Sequence, residues 1–418
     1  MRLIKTSLFS AIITIIKTAA GFVSSKFVAI YAGPAGVALV GQFVNFLSII
    51  FTFANGAINN GVVKYTAQYA AAGNIQQLKL LHGTAAKLTI VCSGAISFIL
   101  ILASKKISFI LFGSAEYYGP IRVTGVGTVF YALNLLIISI VNGYQKIKLY
   151  TKINVIGSIV SLLFTVILIY FYNIEGALYA LAFSQSVLFF ITLALLKKNK
   201  YFSLKLILSK MDKEILQKLS SFSLMAITTA VTMPLAQLFL RNYIISNFSV
   251  SSAGYWQGLM RISDAYLLII TTALSTYYLP KLSSINDDKE LREEIFSGYK
   301  LIIPAVGFSC AIIFFLKDFL ISLLYSSDFY PMRQLFLYQL VGDFFKIAAW
   351  ILAYLMLAKA LTKIYIITEV VFTFTYIVLS VYCMNIFGLQ GITIAFGINY
   401  LLYFLIMILI FRKLLFNK

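Results

Sequence analysis

Long apolar runs recur along this chain, and each is long enough to cross a lipid bilayer as a helix. A helix of about 20 apolar residues spans roughly 30 Å of hydrocarbon. Twelve such runs can be placed, at residues 4 to 31, 35 to 58, 78 to 102, 120 to 142, 150 to 172, 175 to 196, 219 to 246, 252 to 279, 296 to 316, 333 to 357, 362 to 384 and 388 to 411. With 61% hydrophobic and 11% charged residues, the chain has too few polar residues to cover a soluble globule. The sequence therefore predicts an all-α integral membrane protein with twelve transmembrane helices.

The lysines and arginines outside these runs predict an orientation in the membrane. Most of them lie near the two termini and in the connections after every second run, whereas the opposite side holds Lys105, Lys106, Lys317 and Arg333. Cytoplasmic connections carry the excess of basic residues, so both termini are predicted to be cytoplasmic. In a soluble protein, a net charge of +20 would indicate nucleic acid binding. Because this chain is predicted to lie in a membrane, no nucleic acid partner is predicted.

Isolated cysteines and a single histidine argue against several kinds of site. Cys92, Cys310 and Cys383 lie in separate apolar runs, and His82 is the sole histidine, so neither a zinc site nor a disulfide framework is expected. The chain also lacks the GxxxxGK[ST] pattern of a phosphate-binding loop. We therefore expect no metal and no cofactor, and any transport is not driven by an ATPase within this polypeptide.

The longest polar break, residues 197 to 218, divides the twelve runs into six and six. Three pairs of short motifs recur in runs of equal topology, offset by 215 to 218 residues: Ala35-Gly36 with Ala253-Gly254, Lys64 with Lys281, and Glu175-Gly176-Ala177 with Gln390-Gly391-Ile392. Parallel repeats of this kind place a substrate site between the two halves. The predicted organisation is an amino-terminal lobe (residues 1 to 200), a cytoplasmic linker (201 to 218) and a carboxyl-terminal lobe (219 to 418).

The stretch from Gly254 to Pro280 is long enough to cross the bilayer but carries charge in its middle. On a helix, one face would hold Gln257, Arg261, Asp264, Leu268, Thr271 and Ser275, and the other faces Trp256, Leu259, Ile262, Leu267, Ile269 and Ile270. A charged residue at the centre of a membrane helix is unfavourable by about 3 kcal/mol. We therefore expect the charged face to line a cavity enclosed by protein and the apolar faces to meet lipid.

Other charged residues also fall inside the predicted spans: Lys17, Lys26, Lys87, Arg122, Arg241, Asp343, Lys346 and Glu369. Together with Arg261 and Asp264, they leave a surplus of cations. Such a surplus is explained by an anionic cargo, because charge-assisted contacts to phosphate offset the desolvation of the cations. Polar and aromatic residues suited to sugars are Trp256, Gln257, Trp350 and Tyr354. The three carboxylates are candidates for coupling transport to an ion, since a buried acid can take up and release a proton.

Structural explanations stay open for several of these charges. Lys26 can extend to the head groups, and Arg122 and Arg241 can anchor the ends of their helices at the membrane surface. Opposite charges three residues apart can neutralise each other on one helix, as in the pairs Asp343 with Lys346 and Arg261 with Asp264.

Several motifs together resemble one family of transporters. They are GPAGVALVGQF, NNGVVKYTAQYAAAGN, GYWQGLMRISDAYLLIITT, LPKLSSI and QLVGDFFKIAAWILAYLMLAKA. Over essentially the whole chain these motifs are similar to the Wzx flippases, which are bacterial exporters of undecaprenyl-diphosphate-linked oligosaccharides for O-antigen or enterobacterial common antigen. The similarity is greatest to the lipid III (common antigen) branch. This family lies within the multidrug/oligosaccharidyl-lipid/polysaccharide (MOP) superfamily.

The resemblance implies two six-helix lobes that form a V around a cationic cavity in the bacterial inner membrane. Positions that match the family are Lys17, Lys26, Arg122, Arg241, Gln257 and Lys346 for the diphosphate and sugar, and Asp264, Asp343 and Glu369 for ion coupling or charge pairing. Arg261, Lys87 and Val44 depart from the family pattern, which leaves the individual phosphate contacts open. The resemblance also implies an O-antigen polymerase and a chain-length regulator as candidate partners.

Three other functions remain as alternatives. A drug exporter of the same superfamily would favour an acidic pocket for cationic drugs, which the surplus of cations opposes. A membrane glycan polymerase or ligase would need a large outer loop, but the outer connections near residues 103 to 119 and 317 to 332 are short. A channel fits six-helix repeats with charges in mid-membrane less well than a transporter with alternating access does. We therefore predict a flippase and not an enzyme.

Overall fold

A computed structural model describes residues 2–196, 210–274, 278, 281–282, 285, 287–359 and 361–416. Every regular element within these residues is a helix, which confirms the predicted all-α fold. The lysines between residues 197 and 209, most of the predicted linker, and Ser275 of the predicted polar face lie outside the described residues.

Fourteen α-helices and two 3₁₀ segments have both ends within the described residues. They are α1 (Arg2–Ala54), α2 (Asn59–Ala71), α3 (Ile75–Leu102), α4 (Ser104–Phe112), α5 (Tyr118–Gly143), α6 (Ile147–Leu196), α7 (Lys213–Asn247), α8 (Val250–Ala273), α9 (Asp288–Phe315), α10 (Lys317–Leu324), a 3₁₀ segment (Ser327–Leu335), α11 (Phe336–Ala358), α12 (Thr362–Phe387), a second 3₁₀ segment (Gly388–Gln390), α13 (Gly391–Ile410) and α14 (Arg412–Phe416).

Helices α1 and α6 each contain a break where the sequence predicted the end of one span and the start of the next. The break in α1 is at Gly33, with φ 61° and ψ −166°. Pro34 disfavours helical dihedrals at the residue before it, and glycine adopts a positive φ without the steric cost of a Cβ. The break in α6 is at Asn173, with φ 51° and ψ −132°. Asparagine is among the residues that tolerate positive φ best after glycine.

Seven helical stretches of the described chain are long and apolar enough to cross a membrane, so the protein is an integral membrane protein. Three of them, Ile12–Ala54, Ile147–Leu196 and Thr362–Ile410, have 43, 50 and 49 residues and each cover two predicted spans. Helix α7 covers the predicted span 219 to 246, and helix α8 covers residues 252 to 273 of the predicted span 252 to 279. The total of twelve transmembrane helices remains a prediction.

Short helices occupy connections for which the sequence predicted no structure. Helix α2 follows α1, and helices α4 and α10 follow α3 and α9 after a single residue, Ala103 or Leu316, that departs from the helical conformation. These helices have only 13, 9 and 8 residues. They are too short to cross a bilayer, so a search for apolar runs of spanning length does not find them.

The chain forms two compact units. Unit 1 comprises Met1–Ala32 and Leu39–Pro234, and unit 2 comprises Gly33–Ala38 and Leu235–Lys418. The division therefore falls inside α7, at a proline, which removes a backbone hydrogen bond from the helix. The lobe boundaries at residues 200 and 219 stay a prediction from the polar break.

The first half of α7 packs within unit 1. Ile215 and Leu219 are buried in one apolar core with residues of α2, α3 and α5. The Ser223 hydroxyl donates a hydrogen bond to the carbonyl oxygen of Gly56 (2.8 Å), and the backbone N–H of Asp212 donates to the hydroxyl of Thr84 (2.9 Å). Apolar burial and two tertiary hydrogen bonds hold this half of α7 in place.

Two glycines show the same close packing in the two units. A Cβ on Gly176 would lie 1.9 Å from the carbonyl oxygen of Leu168, and a Cβ on Gly391 would lie 2.2 Å from that of Cys383. Both the glycines and their contact residues are 215 residues apart. Any larger residue would force the backbones apart at either position.

A second glycine pair has the same offset. A Cβ on Gly127 of α5 would lie 3.5 Å from the carbonyl oxygen of Ala182, and a Cβ on Gly342 of α11 would lie 3.1 Å from the backbone nitrogen of Gly397. The two helix crossings thus involve corresponding residues of unit 1 and unit 2. This agreement supports the parallel repeat predicted from the sequence.

Candidate functional site

Helix α8 carries the charged face that the sequence predicted, but its apolar face is buried in the protein and does not meet lipid. Trp256, Leu259 and Ile262 are buried inside unit 2, where we expected them to meet lipid. That expectation was wrong because the apolar face packs against neighbouring helices of the same unit. The charged face is the accessible one: Asp264 is exposed, and Arg261 is half-buried.

Asp343 of α11 is fully buried and is held by three neutral hydrogen-bond donors. Its Oδ2 accepts from the hydroxyls of Ser263 and Tyr266, both at 2.6 Å, and its Oδ1 accepts from the amide of Gln339 at 3.2 Å. Ser263 and Tyr266 belong to α8, and Gln339 lies one turn before Asp343 on α11. This network fixes the carboxylate and joins α8 to α11.

Lys346 lies one turn after Asp343 and is surrounded by aromatic rings. Its ammonium nitrogen is 5.0 Å from the ring centroid of Trp350, 5.7 Å from that of Tyr400 and 5.9 Å from that of Phe396. Cations are attracted to the faces of aromatic rings, most strongly where water is excluded. Lys346 is 8% exposed, so this attraction acts in a nearly dry site.

The three predicted coupling carboxylates lie around this lysine. Asp264 of α8, Asp343 of α11 and Glu369 of α12 each interact electrostatically with Lys346. Within the described residues none of them forms an ion pair with it. Asp343 and Lys346 are therefore coupled at longer range and do not neutralise each other in direct contact.

Arg241 of α7 forms a second buried cluster in unit 2. It is 1% exposed, its guanidinium donates a hydrogen bond to the side-chain oxygen of Gln257, and it lies 5.6 Å from the ring of Trp256. The Nε and Nη1 of Arg241 and the ring N–H of Trp256 have no hydrogen-bond partner among the described residues. The structure thus brings Arg241 and Gln257 together. Arg241 is a buried cation with two donor nitrogens that form no hydrogen bond among the described residues.

The predicted cations of unit 1 are placed differently. Lys17 is exposed and Lys26 is half-buried on α1. Arg122, near the start of α5, is exposed; its Nε donates to the Ser104 hydroxyl (3.0 Å) and its guanidinium lies 4.9 Å from the ring of Tyr118. Unit 1 thus exposes Lys17 and Arg122, whereas unit 2 buries Arg241 and Lys346.

Comparison with known proteins decides the family. A family model described as "Polysaccharide biosynthesis protein" matches residues 41–334. The lipid III flippases of Escherichia coli (strain K12) and Shigella flexneri are each 33% identical over 404 residues, covering 97% of this chain and 97% of each relative. The chain belongs to the polysaccharide biosynthesis protein family. The resemblance to flippases that the motifs indicated is thereby confirmed.

Solved structures show the fold of this polysaccharide biosynthesis protein. An inward-facing multidrug resistance MATE transporter of the MOP superfamily has a TM-score of 0.81 at 17% identity, with 99% of both chains covered. A MOP superfamily transporter from Pyrococcus furiosus, described by a reverse polarity of its binding pocket, has a TM-score of 0.74 at 16% identity, covering 99% of this chain and 96% of that one. The chain therefore shares the fold of these two transporters.

Three residues of the polysaccharide biosynthesis protein's cluster were not predicted from the sequence: Ser263, Tyr266 and Tyr400. Ser263 and Tyr266 lie off the charged face of α8, and Tyr400 lies in the apolar run of α13. A tyrosine in an apolar run normally directs its hydroxyl to a polar partner, and this signal marks Tyr266 and Tyr400 but not Ser263. No group of three or more histidine, cysteine or acidic side chains in the described chain is arranged to hold a metal ion.

Proposed function

We propose that the protein is a flippase that moves an undecaprenyl-diphosphate-linked oligosaccharide from the cytoplasmic to the periplasmic leaflet of the bacterial inner membrane. The observation that carries the proposal is the 33% identity to lipid III flippases along 97% of both chains. The cargo is the lipid-linked unit of enterobacterial common antigen or of O-antigen. The protein acts as a transporter and not as an enzyme, with both termini in the cytoplasm.

The cations are proposed to hold the diphosphate of the cargo. A buried arginine is unfavourable unless an anion offsets its desolvation, and Arg241 has two unused donor nitrogens. A guanidinium matches two phosphate oxygens at once. Lys17, Lys26, Arg122 and Lys346 supply further positive charge, and Gln257, which accepts from Arg241, holds its guanidinium in position.

The carboxylates of unit 2 are proposed to couple transport to an ion. Asp343, Asp264 and Glu369 come from three helices and interact with one fixed ammonium, Lys346. A proton or cation that joins this cluster changes the balance of charge between the helices, and that change biases one conformation over another. Binding of the polymerase and the chain-length regulator is a separate prediction.

One observation favours a second candidate function, the export of cations. Among the described residues of unit 2, the cluster around Lys346 contains three carboxylates, Asp264, Asp343 and Glu369, and two cations, Lys346 and Arg261. A cationic drug would be attracted to such a site. Efflux of a cationic dye distinguishes the two functions, because a cation exporter moves the dye out of the cell and a flippase of lipid-linked sugars does not.

Deletion in the native host tests the proposal directly. We expect surface glycan to disappear and undecaprenyl-diphosphate-linked sugars to accumulate, both measured by lipid extraction and mass spectrometry. The wild-type gene should restore export, and Arg241→Ala and Lys346→Ala should not. If Lys17→Ala, Arg122→Ala, Arg241→Ala and Lys346→Ala each support normal glycan at native expression, the proposed site is wrong.

A further inference from the structure

Two helices begin in contact with each other at one end of unit 1. Helix α4 starts at Ser104 and helix α5 at Tyr118. The residues of interest there are Ser104, Lys105, Lys106, Tyr118 and Arg122, which we call the α4–α5 corner. The sequence places Lys105 and Lys106 on the outer side, where basic residues are few.

The starts of both helices favour an anion. The first backbone N–H groups of a helix lack partners within the helix and carry partial positive charge, so a first turn normally holds a capping side chain or an acid. Neither α4 nor α5 has a side-chain cap or an acidic residue in its first turn. Lys105 and Lys106 add positive charge to α4 instead, and Arg122 lies one turn into α5.

The two cations nearest the corner share one aromatic ring. The ammonium of Lys105 lies 5.7 Å and the guanidinium carbon of Arg122 lies 4.9 Å from the ring centroid of Tyr118. Ser104 accepts the Nε–H of Arg122 and so fixes the guanidinium. The two terminal nitrogens of Arg122 have no hydrogen-bond partner among the described residues, and they are the edge that binds phosphate in a bidentate manner.

Two carboxylates lie near this end of unit 1 but do not neutralise the corner. Burial raises the pKa of the Tyr117 hydroxyl, and the charges of Glu116 and Glu175 raise it further, which places both acids near Tyr117. Within the described chain neither acid forms an ion pair with Lys105 or Arg122. The positive charge of the corner therefore remains available to a ligand.

The corresponding end of unit 2 lacks these properties. Helix α10 also begins one residue after a long helix, but its first turn contains Asp318, which pairs with Arg333 at 3.7 Å. Lys317 donates a hydrogen bond to the carbonyl oxygen of Phe314 and lies 4.1 Å from its ring. At this end of unit 2, Arg333 thus pairs with an acid and Lys317 with a carbonyl oxygen. At the α4–α5 corner, Lys105 makes only a ring contact within the described residues, and the two terminal nitrogens of Arg122 make no hydrogen bond there.

We propose that the α4–α5 corner binds the phosphate group of a lipid. Phe109 and Ile110 of α4 are each 62% exposed, and exposed apolar side chains on a short surface helix place the corner at the boundary of the hydrocarbon. Arg122 binds two phosphate oxygens, Lys105 and Lys106 add charge, and the first N–H groups of α4 and α5 complete the site. The phosphate belongs either to an anionic phospholipid or, if the proposed function holds, to the diphosphate of the cargo.

Native mass spectrometry of the full-length protein tests this site. The probes are phosphatidylglycerol, undecaprenyl diphosphate and, as a lipid without phosphate, diacylglycerol. The double variant Lys105→Gln/Arg122→Gln should bind phosphate-bearing lipids about tenfold more weakly than wild type, as expected for the loss of charge-assisted hydrogen bonds. The matched control Lys317→Gln/Arg333→Gln makes the same change of charge in unit 2 and should stay within about twofold of wild type.

The two phosphate sources give different patterns. If the corner variant binds only undecaprenyl diphosphate more weakly than wild type, the corner binds the cargo. If it also binds phosphatidylglycerol more weakly, the corner binds anionic head groups in general. Equal binding by wild type and the corner variant, or equal losses in the corner and control variants, overturns the proposal. Lys105→Gln alone serves if the double variant does not fold, because Lys105 makes only a ring contact within the protein. The phosphatidylglycerol result stands even if deletion in the host shows that the protein is not a flippase.

Discussion

Helices α5 and α11 occupy corresponding places in the two units but satisfy their polar residues in different ways. In α5, the Thr128 hydroxyl donates to the carbonyl oxygen of Thr124 at 2.7 Å, and the Thr124 hydroxyl donates to that of Pro120 at 2.9 Å. Both hydroxyls thus find their acceptors within the same helix. At the positions 215 residues later, Gln339 and Asp343 of α11 bond to each other, and Asp343 also bonds to α8. At these corresponding positions, α5 therefore has hydrogen bonds within one helix, whereas α11 takes part in a polar network between helices.

The difference teaches where charge acts in this fold. Tyr131 of unit 1 packs its ring 3.7 Å from that of Phe51, while Lys346, at the corresponding position of unit 2, sits among three rings and three carboxylates. Burying a charge is unfavourable without compensation, so a repeated scaffold would not retain it in one unit alone without a use for it. We infer that unit 2 senses the coupling ion and that unit 1 presents its cations at the surface.

The largest effect is expected from removing the buried carboxylate. Asp343→Ala should destabilise the protein by about 3 kcal/mol, because it leaves the donors of Ser263, Tyr266 and Gln339 without their acceptor. The matched change in unit 1, Thr128→Val, removes only a bond within one helix and should stay within about 1 kcal/mol. Thermal unfolding in detergent compares the two. Equal losses would show that the network is no more important than the helix-internal bond.

Substituting the repeated glycines tests whether the two crossings are equivalent. Gly176→Ala and Gly391→Ala each place a Cβ within 2.2 Å of a backbone carbonyl oxygen, so both should cost about 2 kcal/mol. Gly94→Ala is the control, because nothing lies within 4 Å of its Cβ and it sits within α3. Melting temperatures should fall together for the first two variants and stay or rise for the third. If the melting temperature falls for only one of Gly176→Ala and Gly391→Ala, the two positions are not equivalent.

Arg241→Met separates stability from transport in unit 2. Methionine has a similar length and no charge, so the variant avoids the desolvation of a buried guanidinium and should be as stable as wild type or more so. Glycan export should nevertheless fall about tenfold, as expected for one lost charge-assisted contact to phosphate. Melting temperature and surface glycan are measured on the same strain. Normal export in a stable variant would remove Arg241 from the site.

Asp318→Asn is the smallest change and should make the start of α10 more like the α4–α5 corner. It frees Arg333 from a surface ion pair, so stability should change by less than about 1 kcal/mol. The number of phosphatidylglycerol molecules bound should increase, measured by native mass spectrometry against wild type. An unchanged number would mean that an unpaired arginine alone does not explain the proposed binding at the α4–α5 corner.

The sequence predicted the order of the helices and the internal repeat better than it predicted the side-chain contacts. The end of one span and the start of the next on either side of Gly33 were predicted from the apolar runs 4 to 31 and 35 to 58, and the parallel repeat was predicted from motifs at a nearly constant offset. The charged residues were found because charge is rare in apolar runs. Which face of α8 is buried was predicted wrongly, since Trp256 and Leu259 are equally suited to lipid and to a protein core.

Contacts between distant residues account for what the sequence did not reveal. Ser263 and Tyr266 approach Asp343 only because α8 and α11 pack together, and no local pattern encodes that pairing. The pairing of Lys105 with Arg122 at Tyr118 likewise depends on α4 turning back after Ala103. Periodicity identifies a helix face, but tertiary packing determines what that face meets.

The docking of α7 has a consequence for dividing the gene in two. A cut between residues 197 and 209 respects the polar break, yet it removes Ile215 and Leu219 from the fragment whose core they complete. The amino-terminal fragment alone would expose an apolar groove and fold poorly, whereas co-expression with residues 210 to 418 would restore it by association in the membrane. Neither half of this protein is thus an independent folding unit, although the two halves resemble each other.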